Sequence, residues 1–384
     1  MSEPRIFDVV VIGAGVFGAW TALQLTKSKQ RVLLIEAYGP GHSRASSGGE
    51  TRIIRMSYGA DEIYTRWSRD SLRQWKELFA SAGERLFLKT GVLWLAGEGD
   101  AWLSASVSIL QDFRMEHEIL ERRELDKRFP QTNFDGVPRG VLEPESGVLL
   151  ARRAVVCAVE SAVRAGALLQ IAQVQPPRGT KKLEFIETST GEQISAGNFV
   201  FACGPWLGKV FPELLSNRIF PTRQEVFFFG TPPGDARFAP PSLPTWFFHT
   251  DDFYGMPDIE SRGLKIARDK HGERVDPDTQ SRIVSQEGAE FARNFVARRF
   301  PMLKNAPIVE TRVCQYENTS NGDFLIDRHP ELSNVWLAGG GSGHGFKHGP
   351  ALGEYAASLV LGEAKAEPRF SLASKATQQE RAVY

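Results

Sequence analysis

Cysteine is scarce in this sequence. Only Cys157, Cys203 and Cys314 are present, and no two of them form a C-x-x-C pair. An odd number at wide spacing supplies neither a disulfide framework nor a zinc site. A reducing compartment, the cytoplasm, is therefore expected. An excess of charge of either sign is also lacking: 46 Lys and Arg balance 46 Asp and Glu. Nucleic-acid binding rests on a basic surface, and a polybasic membrane patch needs clustered cations, so neither partner is expected. No apolar run reaches bilayer length; the first, Val9–Ile12, is short and continues into glycines. The opening MSEPRIFD has no basic leader with a cleavage site, so secretion is not expected. The closing Ala-Val-Tyr is not the peroxisomal address. No internal repeat or low-complexity tract is present. What remains is an ordinary globular composition, 42% hydrophobic and 24% charged, at a length that suits two domains or one elaborate one.

The N-terminal stretch FDVVVIGAGVFGAWTALQLTKSKQRVLLIEAY reads as strand (Val9–Ile12), tight turn, helix (Phe17–Thr26) and strand (Val32–Ile35). Within it GAGVFG places glycines at 13, 15 and 18. Gly13 permits the turn, Gly15 lets backbone approach a pyrophosphate, and Gly18 lets helix pack on strand. The helix start offers free N–H groups to phosphates. Glu36, at the end of the second strand, stands where a carboxylate accepts hydrogen bonds from an adenosine ribose. This fingerprint by itself does not separate NAD from FAD.

Further along, Asp61–Phe79 carries an apolar stripe every four residues and reads as a helix. Ala151–Ala167 reads as a helix ending at glycine, followed by strands at Ala167–Val174, LEFIET and NFVFAC. Asn217–Val309 is rich in proline, phenylalanine and short strand-like runs, and Thr231–Pro244 can only be loop. A last helix is expected from His348 to Leu361, with a polar tail beyond Gly362 lying over the surface. The expected fold class is α/β: a discontinuous Rossmann-like domain (1–84, 148–216 and 313–384) with an inserted mixed or antiparallel sheet domain for substrate (85–147 and 217–312).

Several motifs carry a resemblance. GPGHSRASSGGETRIIRMSYG follows Glu36, and GGGSGHGFKHGPALGE spans Gly339–Glu354 after the cysteine segment TRVCQYENTSNGDFLIDRHP. With FACGPW, EPESGVL, FYGMP and GLK, these resemble the amine-oxidising flavoproteins of the D-amino-acid oxidase superfamily. The similarity is greatest to the branch of monomeric sarcosine, N-methyltryptophan and pipecolate oxidases, and it runs over nearly the whole chain. The resemblance implies FAD, joined by a thioether from Cys314 to the 8α carbon of the flavin. It implies cofactor contacts from Thr51, Gly343, His344, Gly345 and Lys347, and a substrate carboxylate held by Arg55 and Lys347. It places Arg52 close to the flavin, Lys265 on the oxygen side, and Tyr254 and Tyr316 along the substrate side. Cys157 and Cys203 read as packing residues.

These residue types suit those tasks. An arginine offers a planar fork to a carboxylate and a lysine adds a point charge. A fixed cation over the ring favours superoxide forming from O₂. Glycines around a helix start leave N–H groups for an anion, here the pyrimidine side of a reduced flavin. Each has a plainer reading: Lys265 as a solvated strand lysine, the two tyrosines as core filling, the glycine loop as a turn.

The sequence departs from the branch at two places. Gly48, Gly49 and Glu50 stand where the sarcosine-oxidising members have histidine before an aspartate, and Asp269 replaces a second histidine. Sarcosine itself is thereby put in doubt. Gly48 is read as opening space, and Asp269 as attracting a cationic group or the substrate amine, or as pointing to water. The expected activity is oxidation of a secondary amine of an N-alkyl or cyclic amino acid, giving an imine that hydrolyses and hydrogen peroxide from molecular oxygen. The alternatives are a fructosyl amino acid oxidase, a dehydrogenase with a protein acceptor, and a flavoprotein that binds a metabolite without turnover. A monomer without metal is expected.

Overall fold

The computed structural model describes residues 7–379. Its first sheet has six strands, in the order Leu325–Arg328, Val335–Gly339, Ala196–Phe201, Phe7–Ile12, Val32–Glu36 and Leu168–Ile171. All neighbours are parallel except the antiparallel edge strand Leu325–Arg328. The central strands VVVI and VLLI are buried, as a parallel sheet covered on both faces requires. Helix Val16–Lys27 lies on one face and is buried along nearly its whole length. Its sequence is apolar all round for that reason: it packs between helices Ala151–Arg164 and Gly349–Val360.

The second sheet has eight strands, in the order Ile308–Asn318, Phe220–Phe229, Leu264–Arg268, Phe253–Met256, Thr245–Phe248, Val92–Ala96, Arg139–Glu143 and Glu118–Glu121. Thr245–Phe248 runs parallel to Val92–Ala96 and every other pair is antiparallel. The chain thus combines a Rossmann-like sheet with a mixed second sheet. A three-stranded sheet, Arg52–Ile54, Gly147–Leu149 and Phe87–Leu88, holds the TRIIR segment. Strand Ile308–Asn318 is continuous across the expected division at 312/313.

Several elements differ from the sequence reading. The stretch expected to be strand and loop between 217 and 309 also holds helix Gln286–Arg299. Its signals are local: the Ser285 hydroxyl accepts the Gly288 N–H at 3.0 Å, Glu287 lies in the first turn, and Arg298 and Arg299 lie in the last. Helix Ala101–Asp112 is likewise started by Asp100, which accepts the Leu103 N–H at 2.7 Å. LEFIET contributes only Ile186–Glu187 to a strand. The tail past Gly362 does more than cover the surface. Phe370 is fully buried against Trp67 and Phe324, and Arg369 bonds the Asp61 and Asp323 carboxylates at 3.2 and 2.7 Å.

Candidate active site

A cavity of about 280 Å³ opens along the carboxyl edge of the six-stranded sheet. Gly13 and Gly15 line one part of it. Gly13 has φ +102°, and a Cβ on Gly18 would come within 1.8 Å of the Gly13 carbonyl oxygen, so strand and helix meet only because both are glycine. Gly18 therefore stands behind the cavity and sets the approach. Glu36 lines the cavity, accepting the Ala14 N–H at 2.7 Å and the Tyr38 N–H at 3.2 Å. Burial pushes its carboxyl up, but the bonds from His42 and Ala14 outweigh this and hold it below the usual range. Three buried polar atoms of cavity-lining residues have no hydrogen-bond partner among the described residues: His42 Nδ1, Ser46 Oγ and Glu317 Oε2. A buried polar atom without a partner is costly. A dinucleotide rich in hydroxyls and phosphates fits this lining.

A second cavity of about 70 Å³ meets the first at Arg52, Tyr316, Gly343 and Phe346, which line both. One face of the eight-stranded sheet forms its wall. Tyr254 faces Ala267 across one strand pair, Ala267 faces Val226 across the next, and Gln224 faces Cys314. Side chains alternate along strands, so Lys265 and Ala267, Tyr254 and Met256, Gln224 and Val226, Cys314 and Tyr316 all reach this cavity.

Arg52 stands at the junction. Its guanidinium donates to the Ser46 carbonyl at 2.6 Å, the Thr51 carbonyl at 2.8 Å and the Cys314 sulfur at 3.4 Å. Cys314 is half-buried, and its polar neighbours on the strand alternate between this wall and the opposite face. Lys265 is buried, donating to both the carbonyl and the hydroxyl of Thr51 at 3.0 Å. Burial and the adjacent Arg52 bring its ammonium down to about 7. Thr51 lines neither cavity; it anchors Lys265 and Arg52.

Arg55 and Lys347 are both buried and both line the second cavity. Arg55 donates to the Ser57 carbonyl and lies over the rings of Tyr58, Trp94 and Phe247 at 4.1, 4.9 and 5.7 Å. Lys347 donates to the Tyr58 hydroxyl at 2.7 Å and the His344 carbonyl at 2.8 Å. Burial and the Arg55 charge push the Lys347 ammonium well below its ordinary value. Asp269 lines the same cavity and does not point to bulk water. Burial raises its carboxyl to about 6, with Arg55 and Lys347 pulling the other way. Tyr254 and Tyr316 lie close enough to perturb each other, and burial raises both phenols.

The glycine-rich segment adds Gly343 to both cavities, Gly345 to the first and His344 to the second. A Cβ on Gly343 would meet the Tyr316 ring at 2.8 Å. The cavity is lined by this turn and the short turn Phe346–His348, one step before the helix; Gly349, the first helical residue, packs on Val16 and Trp20 instead.

One sequence expectation is overturned. Gly48 opens no space: a Cβ there would lie 2.0 Å from the His42 carbonyl oxygen, and the residue lines neither cavity. Its smallness serves a tight turn. Cys203 packs against the buried cluster of the six-stranded sheet, as expected, and also lines the first cavity, with its sulfur 3.5 Å from the Ile12 carbonyl oxygen. Burial raises its thiol far above the ordinary value.

Glu143, within EPESGVL, is not singled out by its sequence. This buried carboxylate accepts the Met56 N–H (2.7 Å), the Ser57 N–H (3.0 Å) and hydroxyl (2.6 Å), the Ser146 hydroxyl (2.6 Å) and the Trp94 indole N–H (2.7 Å). It fixes the backbone on which Arg55 is mounted. Tyr58 is not singled out either; its hydroxyl bonds His348 Nε2 at 2.7 Å beside Lys347.

The family model described as DAO, FAD dependent oxidoreductase, matches residues 8–359. This chain belongs to that family. The oxidoreductase is 32% identical over 362 residues to monomeric sarcosine oxidase from Bacillus sp. (strain NS-129), covering 92% of each chain. It is 30% identical over 379 residues to N-methyl-L-tryptophan oxidase from Salmonella heidelberg (strain SL476), covering 95% of this chain and 97% of that one. Among solved structures it shares its fold with L-proline dehydrogenase from P. horikoshii, at a TM-score of 0.83 and 22% identity, covering 96% and 98% of the two chains. No helix among the described residues is long and apolar enough to cross a membrane, and no cluster of His, Cys, Asp and Glu among them could hold a metal.

Proposed function

We propose that this FAD-dependent oxidoreductase oxidises secondary amines of small N-alkyl or cyclic amino acids, with molecular oxygen as acceptor. Bound along the cavity that Gly13, Gly15 and Glu36 line, FAD would supply the redox chemistry, taking up a hydride equivalent from the carbon beside the amine with oxygen as the final acceptor. The observation that carries the reading is the convergence of Arg55, Lys347 and Asp269 on one cavity that opens into the dinucleotide cavity at Arg52 and Tyr316. Relatives that act on N-methyl amino acids support it.

In this reading the cavity sorts the two ends of an amino acid. Arg55 and Lys347 hold the carboxylate, each made a stronger partner by burial away from water. The Asp269 carboxylate draws in the ammonium and accepts its proton, leaving the amine neutral in a low-polarity space where the neutral form is favoured. Phe247, Val226 and Met256 exclude water from the reacting carbon. A cavity of about 70 Å³ suits a small side chain or ring and opposes a fructosyl substituent. Lys265 supplies the charge for oxygen reduction. Cys314, whose sulfur accepts from Arg52 at 3.4 Å, would hold the flavin by a thioether: the S–H and one C–H of the 8α methyl are lost as the S–C bond forms, and the two electrons pass through the flavin to oxygen. Action as a monomer belongs to the same proposal. Three free thiols support a reducing, cytoplasmic location.

Anaerobic mixing with a panel of N-methyl and cyclic amino acids, followed by air, tests the activity. Bleaching and recovery of the flavin absorbance with one peroxide per turnover is the expected result. No bleaching by any member of the panel would refute the reading. Acid precipitation tests the tether: colour stays with the pellet, and Cys314→Ala releases it to the supernatant.

A further inference from the structure

Glu317 has no task in the chemistry above. It sits on strand Ile308–Asn318 directly after Tyr316, is 7% exposed, and lines the dinucleotide cavity. Its surroundings are built from glycine. A Cβ on Gly339 or Gly341 would approach its carboxyl oxygens within 3.4 and 3.3 Å, and one on Gly204 within 3.7 Å. The side chain therefore fills room left by two backbone turns. One oxygen, Oε1, accepts the Gly341 N–H at 3.3 Å. The other, Oε2, is buried and has no partner among the described residues.

Position identifies what Oε2 lacks. On one side the carboxyl neighbours Cys203, whose backbone N–H lies against Gly13 of the fingerprint. On the other side come Tyr316 and Gly343, where the two cavities join. The fingerprint end takes the pyrophosphate and the junction takes the ring. The part of FAD that connects them is the ribityl chain, a run of hydroxyls. We propose that Glu317 holds FAD by hydrogen-bonding a ribityl hydroxyl through Oε2. Burial lifts the carboxyl to about 7 against the pull of the Gly341 and Gly340 N–H groups. Both of its forms can serve a hydroxyl, the acid as donor and the carboxylate as acceptor. Nothing in this assignment depends on the amine substrate.

Affinity for FAD, read by quenching of flavin fluorescence, tests the proposal without any turnover. The full-length Cys314→Ala chain makes binding reversible and serves as parent. Glu317→Val keeps a strand-forming residue and removes both oxygens; Glu317→Gln keeps the shape and a hydrogen-bonding end. Loss of a hydrogen bond to a buried polar partner predicts that Glu317→Val weakens FAD about tenfold or more, while Glu317→Gln stays within about threefold. FAD analogues lacking the 2′, 3′ or 4′ ribityl hydroxyl complete a cycle: against one of them the Val penalty falls to about threefold or less. Equal penalties with FAD and all three analogues, or no penalty with FAD, overturn the assignment. If the Val variant does not fold, the parent decides: a loss confined to one analogue keeps the assignment, and binding of all three within about threefold of FAD overturns it.

Discussion

Arg55 and Lys347 lie over the same aromatic ring. The guanidinium carbon of Arg55 is 4.1 Å and the ammonium of Lys347 is 5.2 Å from the centre of Tyr58. Two cations side by side in a buried place repel each other, and the ring face eases that cost. An anion placed between them relieves it further.

Carboxylate binding should therefore bring a proton with it. The Lys347 ammonium is held well below its ordinary value by burial and by Arg55, and an anion beside it favours the charged form. Propionate, which lacks the amine, should raise its proton affinity and bind with net proton uptake, measured by calorimetry across a pH series in buffers of different ionisation enthalpy. Lys347→Met should abolish the uptake and weaken propionate about tenfold.

Asp269 should give the activity an acid limb. Its carboxyl is raised to about 6, so the anion that draws in the substrate ammonium exists above that value and is lost as pH falls through it. The reductive kcat/KM should drop on the acid side near pH 6. Asp269→Asn should be roughly tenfold slower at pH 8 and lack that limb. An unchanged profile in the variant removes Asp269 from the chemistry.

Lys265 should matter for one half of the cycle. Its ammonium, brought down to about 7 by burial and Arg52, loses its proton as pH rises through that value. Reoxidation by oxygen should slow on the alkaline side, and Lys265→Met should slow it about 100-fold with a much smaller effect on anaerobic reduction by substrate. Stopped-flow absorbance separates the two halves.

Glu143 should couple stability to substrate affinity. Its replacement by Ala leaves five donors without their acceptor, and the expected loss is about 3 kcal/mol or more. Glu143→Gln should fold with a lower Tm and raise KM more than it lowers kcat, because Arg55 is displaced while the residues around the ring are not.

Much of this was legible along the chain. Glycines at 13, 15 and 18 with Glu36 mark a dinucleotide site because the contacts are local: turn, helix start and second strand lie within one short unit. The TRIIR and GHGFK motifs pointed to Arg55 and Lys347 by resemblance, and Cys314 stood out among polar residues. Helix Gln286–Arg299 was missed although its capping serine and end charges were present, because its apolar stripe is narrow.

The rest required the fold. Glu143 is an acid at the end of a strand until residues 49, 86 and 87 positions away bring it four of its five donors. Asp269, in a charged run, reads equally as a substrate contact and as solvent-facing; its place just past strand Leu264–Arg268 puts it in a cavity with Arg55 and Lys347. Gly48 reads as added space until the His42 carbonyl occupies that space. Local sequence set what depends on backbone geometry over a few residues. Which charges share a low-dielectric cavity, and hence which protons they hold, depended on partners brought together from more than 200 positions apart.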